Sequence, residues 1–177
     1  KTIIHPFDDE DVIIGQGTIA LEILNQSLFP IDYLLVPIGG GGLISGMINV
    51  FKQKSPKTRI IGIEPKGAPS MYESMKQNKR ITLDRIDNFV DGAAVKTIGK
   101  ISFDYCSKFL DDIVIVDEGE ICQNILTMYN NDAIIVEPAG AMSVTGLNKM
   151  SKSIKDKNVV CLICGGNNDI TRMSEIK

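Results

Sequence analysis

Short, unbroken apolar runs alternate along this chain with longer stretches in which apolar residues recur every three or four positions. Tyr33 to Ile38, Ile60 to Ile63, Ile113 to Val116 and Val159 to Ile163 are the unbroken runs. Each is the length of one strand and lacks the polar alternation of a strand with a solvated face. Between them, Ile44, Met47, Ile48 and Phe51 follow the i, i+3, i+4, i+7 spacing of a helix. Met71 and Met75 mark the inward side of a helix over Ser70 to Asn78, and Ile101, Tyr105 and Phe109 mark another. Asp117 and Glu120 have capping-box spacing and open a helix on Ile121, Ile125 and Met128. A further helix follows Glu137-Pro138, from about Ala139 to Met150. Near the start, Ile13-Ile14 leads into Gly15-Gln16-Gly17-Thr18, which predicts an N-cap at Thr18 and a helix with Leu21, Leu24 and Leu28 on one face, ending near Phe29-Pro30. Lys79 to Gly99 has little periodicity and reads as a long loop, and Ile170 to Lys177 is helix-like.

Strands apolar on both faces, alternating with helices, predict an α/β three-layer sandwich with a mostly parallel sheet. Ligands in such folds bind beyond the carboxyl ends of the strands. Two glycine-bearing loops emerge there: Gly39-Gly40-Gly41-Gly42 and Cys164-Gly165-Gly166-Asn167-Asn168. The first joins an apolar strand to a helix start, so its amides and the helix dipole suit a dianion such as phosphate. A plain mobile turn is the alternative, though the strand and helix that bracket it disfavour that reading. The glycines make neither a P-loop nor a dinucleotide fingerprint, because no Gly-Lys-Ser/Thr follows and Ile44 stands where a third glycine would be needed.

The chain has 177 residues, enough for one domain with a substantial core, and a net charge of −3. That balance, without a basic cluster, argues against nucleic acid or an anionic membrane as partner. No apolar run approaches the roughly 18 residues of a membrane span. Cys161 and Cys164 spell C-x-x-C, but they sit in an apolar run and there is a single histidine, His5, so neither zinc nor a disulfide is expected. Both ends read as cut: the chain opens on Lys1-Thr2-Ile3 and closes within the helix-like stretch.

Five phrases in order, Gly15-Gln16-Gly17-Thr18, Val36-Pro37-Ile38-Gly39-Gly40-Gly41-Gly42-Leu43, Asp91-Gly92, Val136-Glu137-Pro138-Ala139-Gly140 and Gly165-Gly166-Asn167, resemble the fold-type II pyridoxal-phosphate enzymes, and the threonine dehydratases (threonine ammonia-lyases) among them. The resemblance covers essentially the whole chain. It implies the large-domain part of the tryptophan-synthase-β-like fold, with residues 1–177 as the C-terminal portion of the catalytic domain. It implies pyridoxal 5′-phosphate as cofactor, with Gly39, Gly40, Gly41, Gly42 and Leu43 around its phosphate. Cys164 matches the position beside the pyridine nitrogen, where serine is usual in close relatives. Glu137 either approaches the ring or serves as the N-terminal carboxylate of the next helix. The lysine that carries the cofactor belongs to a Ser-Phe-Lys-like segment absent from these residues, so no catalytic residue is assigned here. Lys96 matches a non-catalytic position and reads as a solvated surface lysine. Glu64 with Ala68 resembles the cation site of serine racemases, but Ser70 stands where that site has a further acid, so no metal is assigned. The implied reaction is conversion of L-threonine to 2-oxobutanoate and ammonia by a cytoplasmic enzyme of isoleucine biosynthesis, homo-oligomeric when whole. Serine dehydratase or serine racemase of the same fold, and a non-catalytic domain binding a phosphorylated metabolite, stand as alternatives.

Overall fold

The structure, a computed structural model, describes residues 4–168 and 171. Its elements in chain order are α1 (Glu10–Gln26), β1 (Tyr33–Pro37), α2 (Gly42–Lys54), β2 (Arg59–Pro65), α3 (Ser70–Lys76), α4 (Lys100–Phe109), β3 (Asp112–Val116), α5 (Glu118–Asp132), α6 (Pro138–Met150) and β4 (Val159–Cys161). The four strands pair in parallel in the order β3-β2-β1-β4. Leu34 lies opposite Ile60 and Val160, and Leu35 opposite Ile61 and Cys161.

The strand period of two sends alternate side chains to two separate cores. Leu34, Val36 and Ile60 pack with Ala20, Met47, Phe51 and Cys106 from α1, α2 and α4. Leu35, Ile61 and Ile63 pack with Ile121, Ile125 and Met142 from α5 and α6. Three layers follow, as the apolar runs predicted. Each fully buried Leu, Ile, Phe or Met contributes about 1.5–3 kcal/mol relative to exposure. That burial is why every strand of the sheet carries β-branched or leucine side chains.

The first helix departs from expectation. It starts at Glu10, with Asp9 as N-cap accepting the Asp11 and Val12 amides at 3.0 and 3.2 Å, and it runs straight through Gly15 and Gly17. Thr18 is no cap: its Oγ1 donates back to the Gly15 carbonyl at 2.7 Å. The inward face is Ile13, Gly17 and Ala20, with Leu24 beside them; Leu21 is partly exposed and Leu28 lies beyond the helix in solvent. The glycines permit close packing. A Cβ on Gly46 of α2 would sit 2.5 Å from the Ile13 carbonyl oxygen and 2.6 Å from the Gly17 nitrogen. The two backbones touch, and only glycine fits.

Helix α4 turns Ser102 and Cys106 inward and leaves Phe109 44% exposed. Strand β4 ends at Cys161, so Cys164 lies in the loop beyond it. The capping box of Asp117 and Glu120 opens α5, with the Asp117 amide donating to Glu120 Oε2 at 3.1 Å. Residues 79–99 form a loop pinned across itself, Leu83 N–H to the Lys96 carbonyl at 3.0 Å, with Val90, Ala93 and Ile98 buried. The helix-like stretch from Ile170 lies, Thr171 apart, outside the described residues.

Candidate active site

Strand β1 stops at Pro37, and the Ile38 amide makes the last bond toward β2, to the Ile63 carbonyl at 2.8 Å. The chain then turns through Gly39 to Gly41, where Gly41 takes φ +94°, and enters α2 at Gly42. Ser45 ties the turn down, its amide and hydroxyl both donating to the Gly41 carbonyl at 3.1 and 2.7 Å. Among the described residues, the amides of Gly39 to Leu43 donate to no protein acceptor. Five neighbouring donors at a helix N-terminus make an anion cradle.

The glycines answer a second demand that the sequence reading did not see. A Cβ on Gly40 would lie 2.1 Å from Phe7 Cγ, one on Gly41 2.6 Å from Ser102 Cβ, and one on Gly42 2.9 Å from the Phe7 carbonyl oxygen. Residues packed against the loop exclude side chains there as firmly as the positive φ does at Gly41.

In front of the loop lies a cavity of about 300 Å³ at the carboxyl end of the sheet. Gly39, Gly40, Gly41, Gly42, Leu43, Glu137 and Cys164 all line it, so the structure brings the seven candidate cofactor-binding residues to one cavity. The loop bearing Gly92 and Ala93 forms one wall, and Phe7, Val12 and Gln16 form another. Gln16 and Gly92 come from two of the motif phrases, while Phe7 and Val12, which precede or lie on α1 outside every phrase, carry no local sign of their place in this wall.

Glu137 is the N-cap of α6, half-buried, and makes no side-chain cap bond. Its Oε2 instead accepts the Asn167 amide at 3.1 Å, across to the loop after β4. A Cβ on Gly165 would fall 2.3 Å from the Glu137 carboxyl carbon, so Gly165, at φ +82°, lets the two loops close on each other. Cys164 is held beside them. Burial, and then the nearby charge of Glu137, push its thiol up to about 11, so it is neutral near pH 7. Cys161 packs into the α5–α6 core instead, its thiol also raised to about 11 by burial. The two cysteines of the C-x-x-C therefore serve different places.

Lys96 lies exposed outside the cavity, with Nζ 3.4 Å from the Asp84 carbonyl, and none of the described residues lining the cavity is a lysine. Glu64 is fully buried, and its two oxygens accept the Met71 and Tyr72 amides at 2.8 and 2.7 Å. Burial raises its carboxyl to about 8, against the lowering effect of those two bonds. Its role in this structure is to anchor the first turn of α3. Ser70, also buried, has a hydroxyl without a partner among the described residues.

A parallel α/β sheet whose central strand runs into a glycine-lined anion cradle, with an acid and a neutral thiol facing it, defines a binder of a phosphorylated cofactor. The chain belongs to the pyridoxal-phosphate dependent enzyme family, whose sequence pattern matches residues 1–165. It is 56% identical over 176 residues to the L-threonine dehydratase biosynthetic IlvA of Halalkalibacterium halodurans, covering 99% of this chain and 42% of that protein. Against the protein of the same name from Bacillus subtilis it is 52% identical, covering 100% of this chain and 42% of the relative. The processed form of threonine deaminase isoform 2 from Solanum lycopersicum superposes with a TM-score of 0.94 at 39% identity, over 98% of this chain and 51% of that one. Maize serine racemase superposes at 0.89 and 33% identity, over 97% and 54%. The chain thus spans about 42% of the length of the curated relatives it matches.

Proposed function

We propose that the whole protein is a pyridoxal-phosphate-dependent threonine ammonia-lyase of isoleucine biosynthesis, acting in the cytoplasm as a homo-oligomer. It converts L-threonine to 2-oxobutanoate and ammonia, and residues 1–177 are the C-terminal portion of its catalytic domain. One observation carries this reading: the seven motif residues line a single cavity in which five consecutive amides lack a protein acceptor. The identity to proteins named threonine dehydratase supports the choice of substrate.

When bound, pyridoxal phosphate supplies the electron sink for removal of the α-proton and expulsion of the β-hydroxyl. The chain's own work is to bind and orient. The amides of Gly39 to Leu43 and the N-terminus of α2 would hold the phosphate dianion without a lysine in the cradle. Cys164, neutral near pH 7, would offer the ring nitrogen a neutral hydrogen-bond partner rather than a charged one, which would make the bound cofactor a milder electron sink suited to elimination. Glu137, fixed by the Asn167 amide, sets the orientation of the loop that carries Cys164. Val12, Val95 and Ala139 give the cavity apolar walls that limit water.

The test is a coupled ketoacid assay on the purified full-length protein, with and without added pyridoxal phosphate. Cofactor-dependent release of 2-oxobutanoate from L-threonine, faster than pyruvate from L-serine, is the expected outcome. Preference for serine, or racemisation without ketoacid, favours the serine enzymes; cofactor binding without turnover of either amino acid overturns the enzymatic reading.

A further inference from the structure

Helix α4 begins after Gly99, a residue with no side chain to cap the first amides. The cap arrives from 92 positions upstream. Asp8 Oδ2 accepts the Lys100 amide at 2.8 Å, and Oδ1 accepts the Ile101 amide at 2.9 Å. The same Gly99 donates its own amide to the Gly40 carbonyl at 3.0 Å. One residue thus joins the capped end of α4 to the glycine loop. It has no freedom to slide, because a Cβ on Gly99 would lie 2.7 Å from Asp8 Oδ1 and 3.0 Å from Ser102 Oγ.

Phe7 completes the arrangement by lying against the loop at Gly40 and Gly42. His5 fixes the turn that presents both residues. Its Nδ1 accepts the Asp8 amide at 2.9 Å and the Phe7 amide at 3.4 Å, and its ring meets the Phe7 ring edge-on at 4.6 Å. The segment from His5 to Asp8 therefore packs directly against the loop at the edge of the cavity, where Phe7 also forms part of the wall.

We infer that Asp8 is a positioning residue for the anion cradle, acting through Gly99 and Gly40. This rests on the reading of Gly39 to Leu43 as the phosphate cup. An ordinary helix cap would stabilise α4 and nothing else. Here the capped end also holds a carbonyl of the loop, so the carboxylate fixes the cradle before the ligand arrives. Preorganised donors bind more tightly because ordering them is not charged against binding. The carboxylate also sits at the positive end of the α4 dipole, where its charge is favoured.

The experiment compares full-length wild type with Asp8→Ala, Asp8→Asn and, as a control, Asp117→Ala, which removes a helix cap at α5 outside the cavity. Each is stripped of cofactor and titrated with pyridoxal phosphate, with the ³¹P resonance of the bound phosphate and the unfolding midpoint of the cofactor-free protein read in parallel. Asp8→Ala is expected to raise the cofactor Kd at least tenfold and move the ³¹P resonance toward that of free cofactor. Asp8→Asn, which keeps one acceptor oxygen, gives a smaller effect in the same direction and carries the test if the alanine variant does not fold. Asp117→Ala lowers the unfolding midpoint while leaving Kd within twofold. Unchanged Kd and resonance in both Asp8 variants, or an equal rise in Kd in the control, overturns the inference and leaves the phosphate cup standing. A wild type that binds no pyridoxal phosphate overturns both.

Discussion

Replacing Gly41 by alanine sets two separable strains against the fold. At φ +94° a Cβ meets backbone sterics that amount to roughly 1–2 kcal/mol for an L-residue. The same methyl would stand 2.6 Å from Ser102 Cβ, inside the roughly 3.5–4.0 Å of ordinary carbon contact. Forcing that contact into a fully buried site adds about 1–3 kcal/mol. Together the two reach about 2–5 kcal/mol, a large share of the ~5–15 kcal/mol by which domains are stable. Ser102→Gly removes the opposing carbon and isolates the backbone strain, at its own cost of about 0.5–1 kcal/mol for glycine in a helix. A double-mutant cycle by equilibrium urea unfolding of the cofactor-free full-length protein should therefore give a favourable coupling of about 1–3 kcal/mol. Additive effects within ~0.3 kcal/mol, or a Gly41→Ala variant as stable as wild type, would refute the packing account.

Other consequences can be tested singly. Burial holds the Glu64 carboxyl up to about 8 in the folded protein, against an ordinary 4.5, so the folded state binds the extra proton between those values. Stability should then fall as pH rises through that window, by up to about 1.4 kcal/mol per pH unit, and level off above it; urea midpoints independent of pH, or a slope unaltered by Glu64→Gln, contradict this. Cys164→Ser should retain activity within roughly tenfold because a hydroxyl offers the same neutral partner, whereas Cys164→Asp should depress elimination much further; equal kcat in the two variants removes Cys164 from the ring-nitrogen position. The 177-residue chain alone should release no 2-oxobutanoate and show no lysine labelled by borohydride in the presence of pyridoxal phosphate, since no lysine lines the cavity among the described residues; labelling of Lys96 together with turnover would reverse that assignment.

The layered fold was legible because burial on both faces of a parallel sheet leaves unbroken apolar runs, and those runs became β1 to β4. The glycine loop was legible for a related reason: a loop between a buried strand and a buried helix has little freedom to lie elsewhere. The first helix was misplaced because glycine carries two meanings in sequence. Gly15 and Gly17 read as punctuation, but Gly17 lies where two helix backbones meet, and that contact involves Gly46, far along the chain. Leu21 and Leu28 were placed with Leu24 on one helix face by spacing alone, while the buried face is offset from them and relies on small residues, Gly17 and Ala20. Asp8 was invisible for a different reason. Its partners are amides 92 and 93 positions away, and no local pattern marks a carboxylate that caps another element's helix.

The contact between Phe7 and Gly40 also bears on how such a sequence can drift. A Cβ at position 40 would overlap the ring at position 7, 2.1 Å from its Cγ, so these two sites form one unit of change. A side chain can enter at 40 only after the residue at 7 has become small, and a lineage that retains phenylalanine at 7 is confined to glycine at 40 even if its ligand were lost. Glycine at this position is therefore a record of its neighbour as much as of phosphate, and a variant library that randomises both sites together should recover folded proteins that randomising position 40 alone never yields.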